Sequence, residues 1–281
     1  MIVVIAGIVL MLYPYISEYF FENRVDSEIM AYKECINKTV DQQYQRMLEQ
    51  AEEYNSYLQK SQMQLTDPFA NTGGTEEQPV YESLLRVDDS GIIGYVEIPT
   101  IGVKLPVYQG TSAGDLERGV GHLKGSSLPV GGKGTHAVLT GHTGLSQAKL
   151  LSDLTEMKEG DVFYIYVLGR QLAYEVYATS VVLPEDTEQL RIDKDKDLVT
   201  IVTCTPYGIN THRLFVHGKR IPFSEPQYQK ELSKTPVTLN SRWRSAYGRA
   251  LLAGGMFAVC LIVLLVLDIR KIIGVTLVII G

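Results

Sequence analysis

The sequence is poor in the residues that build disulfide-rich or zinc-stabilised folds. Its 281 residues include only three cysteines, Cys35, Cys204 and Cys260, which lie far apart and form no C-x-x-C pair. Disulfide frameworks and zinc knuckles both depend on paired or closely spaced cysteines. The pattern therefore argues against both kinds of site and favours a single thiol with a role of its own.

Positive charge is also scarce. The formal net charge is −6, and no basic stripe interleaved with aromatic residues occurs. Such a stripe is typical of surfaces that bind nucleic acid. We therefore expect no nucleic-acid partner. Internal repeats and low-complexity tracts are absent from the sequence as well.

Long apolar runs are confined to the two ends of the chain. Residues 250–267 are almost wholly apolar and are followed by a short tail, 268–281. A run of about 18 uncharged apolar residues predicts a transmembrane helix. Residues 1–16 are apolar too, without the positive stretch and small-residue cleavage site of a signal peptide. We interpret them as an uncleaved membrane anchor.

Residues 17–62 form a predicted amphipathic helical region, either one long helix or two in tandem. Apolar residues recur there three or four positions apart, which is the period of one helix face. We expect this face to pack on the domain that follows it. Its members are Ile29, Tyr32, Ile36, Val40, Tyr44, Met47, Ala51, Tyr54 and Leu58.

The middle of the chain changes to a β-rich pattern. Residues 63–80 contain several turn formers and predict a surface loop, and residues 224–249 are polar and predict a linker. Between them, residues 81–223 carry many short runs rich in Val, Ile, Tyr and Thr, which predict a closed barrel or a sandwich. The predicted strands are 92–98, 103–107, 137–141, 162–168, 172–182, 198–204 and 214–221, with short helices at 115–117 and 147–154.

One cysteine stands where a reactive group is expected. The apolar run 198–203 leads directly into Cys204, and a Pro-Tyr-Gly turn follows. A side chain at a strand end is held rigidly and can still meet a substrate. The alternative is a buried structural cysteine, which is the common fate of a free thiol.

Two further residues complete a candidate site. His142 ends another apolar strand and is flanked by glycines. His136 and His142 would lie on the same face of that strand, so alternation does not choose between them, but the position at the strand end favours His142. Arg213 opens a strand shortly after Cys204, so strand pairing would return it to the thiol. His212 and His217 lack such surroundings, and we interpret them as structural.

These three residue types suit acyl transfer. A cysteine acts as a nucleophile when it is a thiolate, which a nearby cation favours. The reaction also needs a proton donor for the leaving amine and a group that stabilises the oxyanion. Cys204, His142 and Arg213 together supply these roles.

The same segments resemble a known family. The run 200–204, Thr-Ile-Val-Thr-Cys, resembles the sortase nucleophile motif T-L-x-T-C, and 140–142 resembles the sortase Thr-Gly-His motif. Arg213 lies where sortases keep their arginine. The resemblance covers about residues 91–220 and implies a mainly β, closed sortase-type barrel with short helices, flanked here by the amphipathic helical region and the terminal membrane segments.

Asp67, Pro68 and Phe69 resemble the lid motif of class C, or pilus-associated, sortases. The resemblance implies that Asp67 pairs with Arg213 and that Phe69 covers Cys204. It also implies cleavage of an LPxTG-like sorting signal after Thr and transfer of the acyl group to a lysine of another pilin. The resemblance implies a membrane-bound enzyme on the outer surface of a Gram-positive cell. Its partners would be pilin subunits and the lipid bilayer, and it would need no cofactor or metal.

Two other functions remain open from the sequence. The chain could be a sortase of another class that anchors proteins to the cell wall, although the lid motif argues against this. It could instead be a membrane-tethered barrel that binds peptides without catalysis, with Cys204 buried and unreactive.

Overall fold

The computed structural model describes residues 2–38, 41–61, 65–69, 81–145, 148–237 and 252–256. The chain divides into two compact units, one of Met1–Met11 and Thr238–Gly281 and the other of Leu12–Val237. In the first unit, residues 2–11 and 252–256 are helical. Among the described residues, no helix has the length and apolarity needed to cross a membrane. Apart from 252–256, the predicted span 250–267 and the tail 268–281 lie outside the described residues.

The second unit is built around a closed β-barrel, as the sequence predicted. The strands are β1 Ile92–Ile98, β2 Val103–Gln109, β3 Val120–His122, β4 Thr135–Thr140, β5 Thr143–Leu145, β6 Ala148–Leu150, β7 Val162–Val167, β8 Arg170–Val182, β9 Asp197–Thr205 and β10 His212–Ile221. Their order around the barrel is β1-β2-β3-β4-β9-β10-β8-β7, and β1 pairs with β7 to close it. Two neighbouring pairs in the barrel, β2–β3 and β4–β9, are parallel, whereas the others are antiparallel.

The named α-helices of the described residues are α1 Ile2–Lys38, which begins in the first unit, α2 Asp41–Ser61, α3 Ala113–Arg118 and α4 Glu225–Leu232. One face of α1 and α2 belongs to the same apolar core as the barrel strands, through Val25, Ile29, Tyr32, Leu48, Ala51, Tyr54 and Leu58. Burying a side chain of this size contributes about 1.5–3 kcal/mol, so this face fastens both helices to the barrel.

Polar contacts fix the position of α1 as well. The hydroxyl of Tyr32 donates to the carbonyl of Ile93 at 3.0 Å and accepts from the amide of Leu168 at 2.9 Å. Tyr32 is 3 % exposed. Since both backbone groups are buried with it, the hydroxyl satisfies groups that would otherwise lack a partner.

The helix predicted at 147–154 is wrong. Residues 148–150 form β6, which pairs with β5, and a short 3₁₀ turn follows at Leu154–Glu156. Ala148 and Leu150 are buried while Lys149 is half-buried, an alternation that suits a strand. Leu150 has φ 42°, a left-handed conformation that an α-helix does not tolerate.

The predicted linker 224–249 also begins with ordered structure. Its first part forms α4, with Pro226 in the first turn, where a missing backbone donor costs nothing. Tyr228 on this helix packs edge-to-face on Tyr164, with ring centroids 4.9 Å apart, and donates to Glu97 at 2.9 Å. These contacts hold α4 against β1 and β7.

Candidate active site

Three adjacent strands, β4, β9 and β10, bring the predicted site residues together. Cys204 and Arg213 are direct cross-strand partners in the antiparallel β9–β10 ladder. In the parallel β4–β9 ladder Thr140 is level with Val202, and the amide of Gly141 donates to the Val202 carbonyl at 3.1 Å. His142 follows just beyond the end of β4, on the side of β9 opposite to β10.

The three side chains share one face of the sheet. On β9, Val199 and Ile201 belong to the main apolar core, and alternate residues point away from it. Those alternate residues include Val202 and Cys204. A second, smaller apolar cluster covers this face below the thiol and consists of Leu123, Val138, Val182, Leu190, Val202 and Phe215.

Arg213 is held by a bidentate ion pair. Its Nη2 lies 2.6 Å from Oδ2 of Asp67 and its Nε lies 2.8 Å from Oδ1. The side chains of Arg213 and Asp67 are only 9% and 12% exposed. Nη1 also donates to the carbonyls of Asn210 and His212, at 3.1 Å each. The guanidinium is thus fixed on both sides, in the fork geometry that suits a carboxylate.

Phe69 covers the site from above. Its ring centroid lies 5.6 Å from that of His142 and 5.0 Å from the guanidinium carbon of Arg213. Pro68 lies in the turn between Asp67 and Phe69. Phe69 and Leu65 both pack on the small apolar cluster. The described segment 65–69, which we call the lid, therefore closes over the face that carries Cys204.

The backbone around His142 is fixed by two hydrogen bonds. The hydroxyl of Thr203 donates to the Gly141 carbonyl at 2.7 Å, and the amide of Leu151 donates to the His142 carbonyl at 3.2 Å. A Cβ atom at position 141 would lie 2.9 Å from Cδ1 of Leu151, so a larger residue there would shift that side chain.

Under the closed lid, burial keeps both the thiol and the imidazole uncharged. Burial raises the pKa of Cys204; Arg213 opposes that rise, and the Asp67 carboxylate adds to it. Burial lowers the pKa of His142, and Glu117 opposes that effect. At neutral pH the pair is therefore a thiol and a neutral imidazole. Removing the lid would expose the sulfur to water and take the Asp67 carboxylate away from it. Both changes lower the pKa of Cys204 and so favour the thiolate.

The other histidines have structural partners. His136 and His217 flank the hydroxyl of Thr200 inside the sheet, and His122 bonds Tyr81 and the Ser127 carbonyl. Within the described part of the chain, no group of three or more His, Cys, Asp or Glu side chains could hold a metal ion. A groove of about 920 Å³ lies near Asp197, at the opposite end of β9 from Cys204.

Sequence reasoning missed one lid contact. The hydroxyl of Thr187 donates to the carbonyl of Leu65 at 2.9 Å, across 122 residues of sequence. Thr187 lies on the connection between β8 and β9, which falls between two of the predicted strands. A hydrogen bond to a backbone carbonyl carries no sequence signal, so only the fold reveals it.

Comparison with known proteins agrees with this geometry. The sortase domain family matches residues 96–221. Sortase C1 of GBS pilus island 1 is 42% identical, with a TM-score of 0.64 over 72% of this chain and 94% of that one. Sortase C-1 from Actinomyces oris is 46% identical, with a TM-score of 0.60 over 64% of this chain and 99% of that one. Sortase D of Bacillus subtilis is 28% identical over 155 residues, 54% of this chain and 75% of its own length.

Proposed function

Since the chain belongs to the sortase family of cysteine transpeptidases, we propose that Cys204 is its nucleophile, with His142 and Arg213 as partners. We propose further that it cleaves an LPxTG-like sorting signal after Thr and joins the acyl group to a lysine of another pilin. The observation that carries the proposal is the cross-strand pairing of Cys204 with Arg213 beneath an aromatic ring that also contacts His142.

In the first step the lid moves aside and the signal takes its place. The sulfur of Cys204 attacks the threonine carbonyl, and the thiol proton passes to His142. Arg213, released from Asp67, donates to the carbonyl oxygen as it becomes negative. His142 then gives its proton to the departing glycine amine, the C–N bond breaks, and a thioester to Cys204 remains.

In the second step an amine resolves the thioester. The ε-amine of a lysine attacks the same carbonyl, and His142 accepts the proton that the amine loses. The C–S bond breaks, Cys204 recovers its proton, and an isopeptide bond joins the two proteins. Repeating these steps would produce a covalent polymer of pilin subunits.

The lid supports a pilin-polymerising function over simple anchoring. Asp67 binds the guanidinium of Arg213, the group proposed to bind the carbonyl oxygen of the substrate. One of the similar structures is a sortase C1 of a pilus island, which is a property of that protein. Both observations favour pilins as substrates of this chain.

We propose that the enzyme works at the surface of a Gram-positive cell, tethered to the membrane by the ends of its chain. The apolar runs 1–16 and 250–267 support this location. The domain limits proposed from the sequence remain 1–16, 17–62, 63–80, 81–223, 224–249, 250–267 and 268–281.

A transfer assay tests the proposal. The protein is incubated with a purified pilin that carries a sorting signal, and the products are separated on a denaturing gel. We expect a ladder of covalent oligomers, which Cys204→Ala abolishes and Cys35→Ser leaves unchanged, because Cys35 lies on α1 beside Asp88. Retained transfer by Cys204→Ala would refute the nucleophile assignment.

The same assay separates the alternatives. An anchoring sortase would release the signal and join it only to small amines, without a ladder. A peptide-binding barrel would give no product at all, and Cys204 would resist thiol reagents even after the lid is disrupted.

A further inference from the structure

The face that carries Cys204 contains a second polar group, deeper in the sheet. Along each of the three strands, alternate residues run from this group through the small apolar cluster toward the thiol. The β9 and β10 columns reach the level of the thiol, and the β4 column ends level with Val202. The columns are His136–Val138–Thr140 on β4, Thr200–Val202–Cys204 on β9 and His217–Phe215–Arg213 on β10.

The deeper group is a continuous chain of hydrogen bonds. Nε2 of His136 lies 2.7 Å from the hydroxyl oxygen of Thr200, and Nδ1 of His217 lies 2.8 Å from the same oxygen. His136, Thr200 and His217 are 1%, 0% and 3% exposed. A single hydroxyl on β9 thus joins two buried imidazoles on the strands at either side of it.

The backbone carbonyl at one end of the chain fixes the direction of the bonds through Thr200. Nδ1 of His136 lies 2.9 Å from the carbonyl of Arg191, which can only accept, so this nitrogen carries the proton. In a neutral ring Nε2 must then accept from the Thr200 hydroxyl. The Thr200 oxygen in turn accepts from Nδ1–H of His217. Nε2 of His217 is left as an acceptor.

That last acceptor faces an exposed amide and a hydroxyl. Nε2 of His217 lies 3.2 Å from the hydroxyl oxygen of Ser180, which can donate to it, and 3.1 Å from Oε1 of Gln189. Gln189 donates as well when its amide is turned so that the NH₂ group takes the place of Oε1, since amide orientation follows from the network. The chain therefore begins at the Arg191 carbonyl and ends at Gln189, two groups of one loop.

That loop is the connection between β8 and β9, residues 183–196, which we call the wall segment. Between the two attachment points it places Leu190, 1% exposed, in the small apolar cluster against which Leu65 and Phe69 pack. Its Thr187 hydroxyl holds the Leu65 carbonyl. The wall segment therefore supplies both an apolar and a polar contact to the lid.

We propose that His136, Thr200 and His217 form a positioning clamp that fixes the wall segment and thereby sets how tightly the lid closes over Cys204. This proposal rests on the proposed function in one respect: the lid must leave before a sorting signal binds. It gives the first Thr of the nucleophile motif a role separate from catalysis: positioning the wall segment that the lid closes against.

Charge supports the clamp at neutral pH. Burial lowers the pKa of His136, against the opposing bond to Arg191, and burial together with His136 lowers the pKa of His217 to about 4. The other groups facing the two rings are uncharged: Ser180, Gln189 and the rings of Tyr177 and Phe215. The guanidinium of Arg191 pairs instead with Glu188 at the surface.

Thr200→Val tests the proposal because valine keeps the shape and removes the hydroxyl from both imidazoles. Two quantities are measured in the full chain at pH 7.5: the alkylation rate of Cys204, followed on its peptide by mass spectrometry, and deuterium uptake of residues 183–196. We expect both to rise about tenfold, the order expected when buried groups lose their hydrogen-bond partner. Thr200→Ser, which retains the hydroxyl, should restore both to within about twofold.

Two further variants keep the test decisive. Thr140→Val makes the same change on the neighbouring strand, where the Thr140 hydroxyl has no hydrogen-bond partner among the described residues, and should leave uptake of residues 183–196 unchanged. Gln189→Ala cuts the exposed end of the clamp without a buried change and should raise uptake in the same direction if Thr200→Val does not fold.

Unchanged uptake in both Thr200→Val and Gln189→Ala would overturn the clamp, and so would a Thr200→Ser variant that behaves like valine. Neither readout depends on transpeptidation. A failed pilin assay would therefore count against the proposed function alone, and a normal exchange pattern would count against the clamp alone.

Discussion

Replacing Asp67 with Ala should release the lid and expose Cys204. The variant removes both hydrogen bonds that the carboxylate accepts from Arg213, at 2.6 and 2.8 Å. Because the side chains are only 9% and 12% exposed, solvent screens this pair little. Hydrogen bonds to charged groups contribute about 1.5–3 kcal/mol each, and Arg213 keeps its two backbone carbonyls. Two such hydrogen bonds sum to about 3–6 kcal/mol, but they belong to one ion pair and are not additive, so we expect the closed lid to lose about 2–4 kcal/mol in all.

The assay is the rate at which a small alkylating reagent modifies Cys204. A loss of 2 kcal/mol corresponds to roughly a 30-fold larger open fraction, since about 1.4 kcal/mol is a factor of ten. The alkylation rate should rise by at least that factor, up to the rate of an uncovered thiol. Burial and the Asp67 carboxylate both raise the pKa of Cys204, so losing them should move the midpoint of the rate profile to lower pH. Opening therefore raises the plateau and lowers the midpoint, and removal of the Asp67 charge adds to the second effect.

Two variants serve as controls. Asp67→Asn keeps an acceptor for Arg213 without the charge and should give an intermediate rate. Asp89→Ala removes a carboxylate that pairs with Arg86 at 3.1 Å but is fully exposed, and it should change nothing. If Asp67→Ala folds normally and alkylates at the wild-type rate, the ion pair does not hold the lid and the reasoning fails.

Three further predictions concern the barrel. Tyr32→Phe leaves two buried backbone groups without a hydrogen-bond partner and should lower the free energy of unfolding by about 1–3 kcal/mol in urea titration. An unchanged free energy of unfolding would contradict the role of this α1 contact. Gly94→Ala directs a Cβ at a backbone carbonyl of β7 and should cost at least about 2 kcal/mol, whereas Gly114→Ala, which meets nothing within 4 Å, should cost none. His122 and His217 have pKa values lowered by burial to about 4, so the unfolded chain binds more protons below pH 6.5. Stability should therefore fall as the pH drops from 6.5 to 4, by at most roughly 3 kcal/mol per histidine, and a flat profile in that range would refute this.

Local pattern predicted a closed barrel or a sandwich and the pairing of Cys204 with Arg213, and the family resemblance favoured the closed barrel. Alternating apolar residues and turn formers predicted the strands around Cys204, and the short turn after it predicted that Arg213 would return beside it. The structure pairs these two residues directly. This succeeded because an antiparallel hairpin is determined by residues close together in sequence.

Contacts between distant segments could not be predicted in the same way. Residues 148–150 have a composition that suits a helix, and only their pairing with β5 makes them a strand. The three-residue strand β3 pairs in parallel with β2 and is too short to show an alternation. The hydrogen bond from Thr187 to Leu65 depends on where two loops meet after the barrel has closed.

The attachment of the lid at both ends has a consequence for substrate affinity. Leu58 near the end of α2 and Tyr81 before β1 are both 0% exposed, so the chain on either side of the lid is anchored in the core. Leu65 is four residues beyond the end of α2 at Ser61, so it stays within about 14 Å of that residue. The displaced lid therefore remains at an effective concentration on the order of millimolar.

A sorting signal must consequently compete with an occupant that cannot diffuse away. Its apparent dissociation constant is the intrinsic one divided by the fraction of molecules that are open. If about one molecule in a hundred is open, a peptide that would bind at 1 µM binds at about 100 µM. Short isolated peptides should thus be weak ligands. A substrate that also contacts the protein outside the active site should bind more tightly than such a peptide.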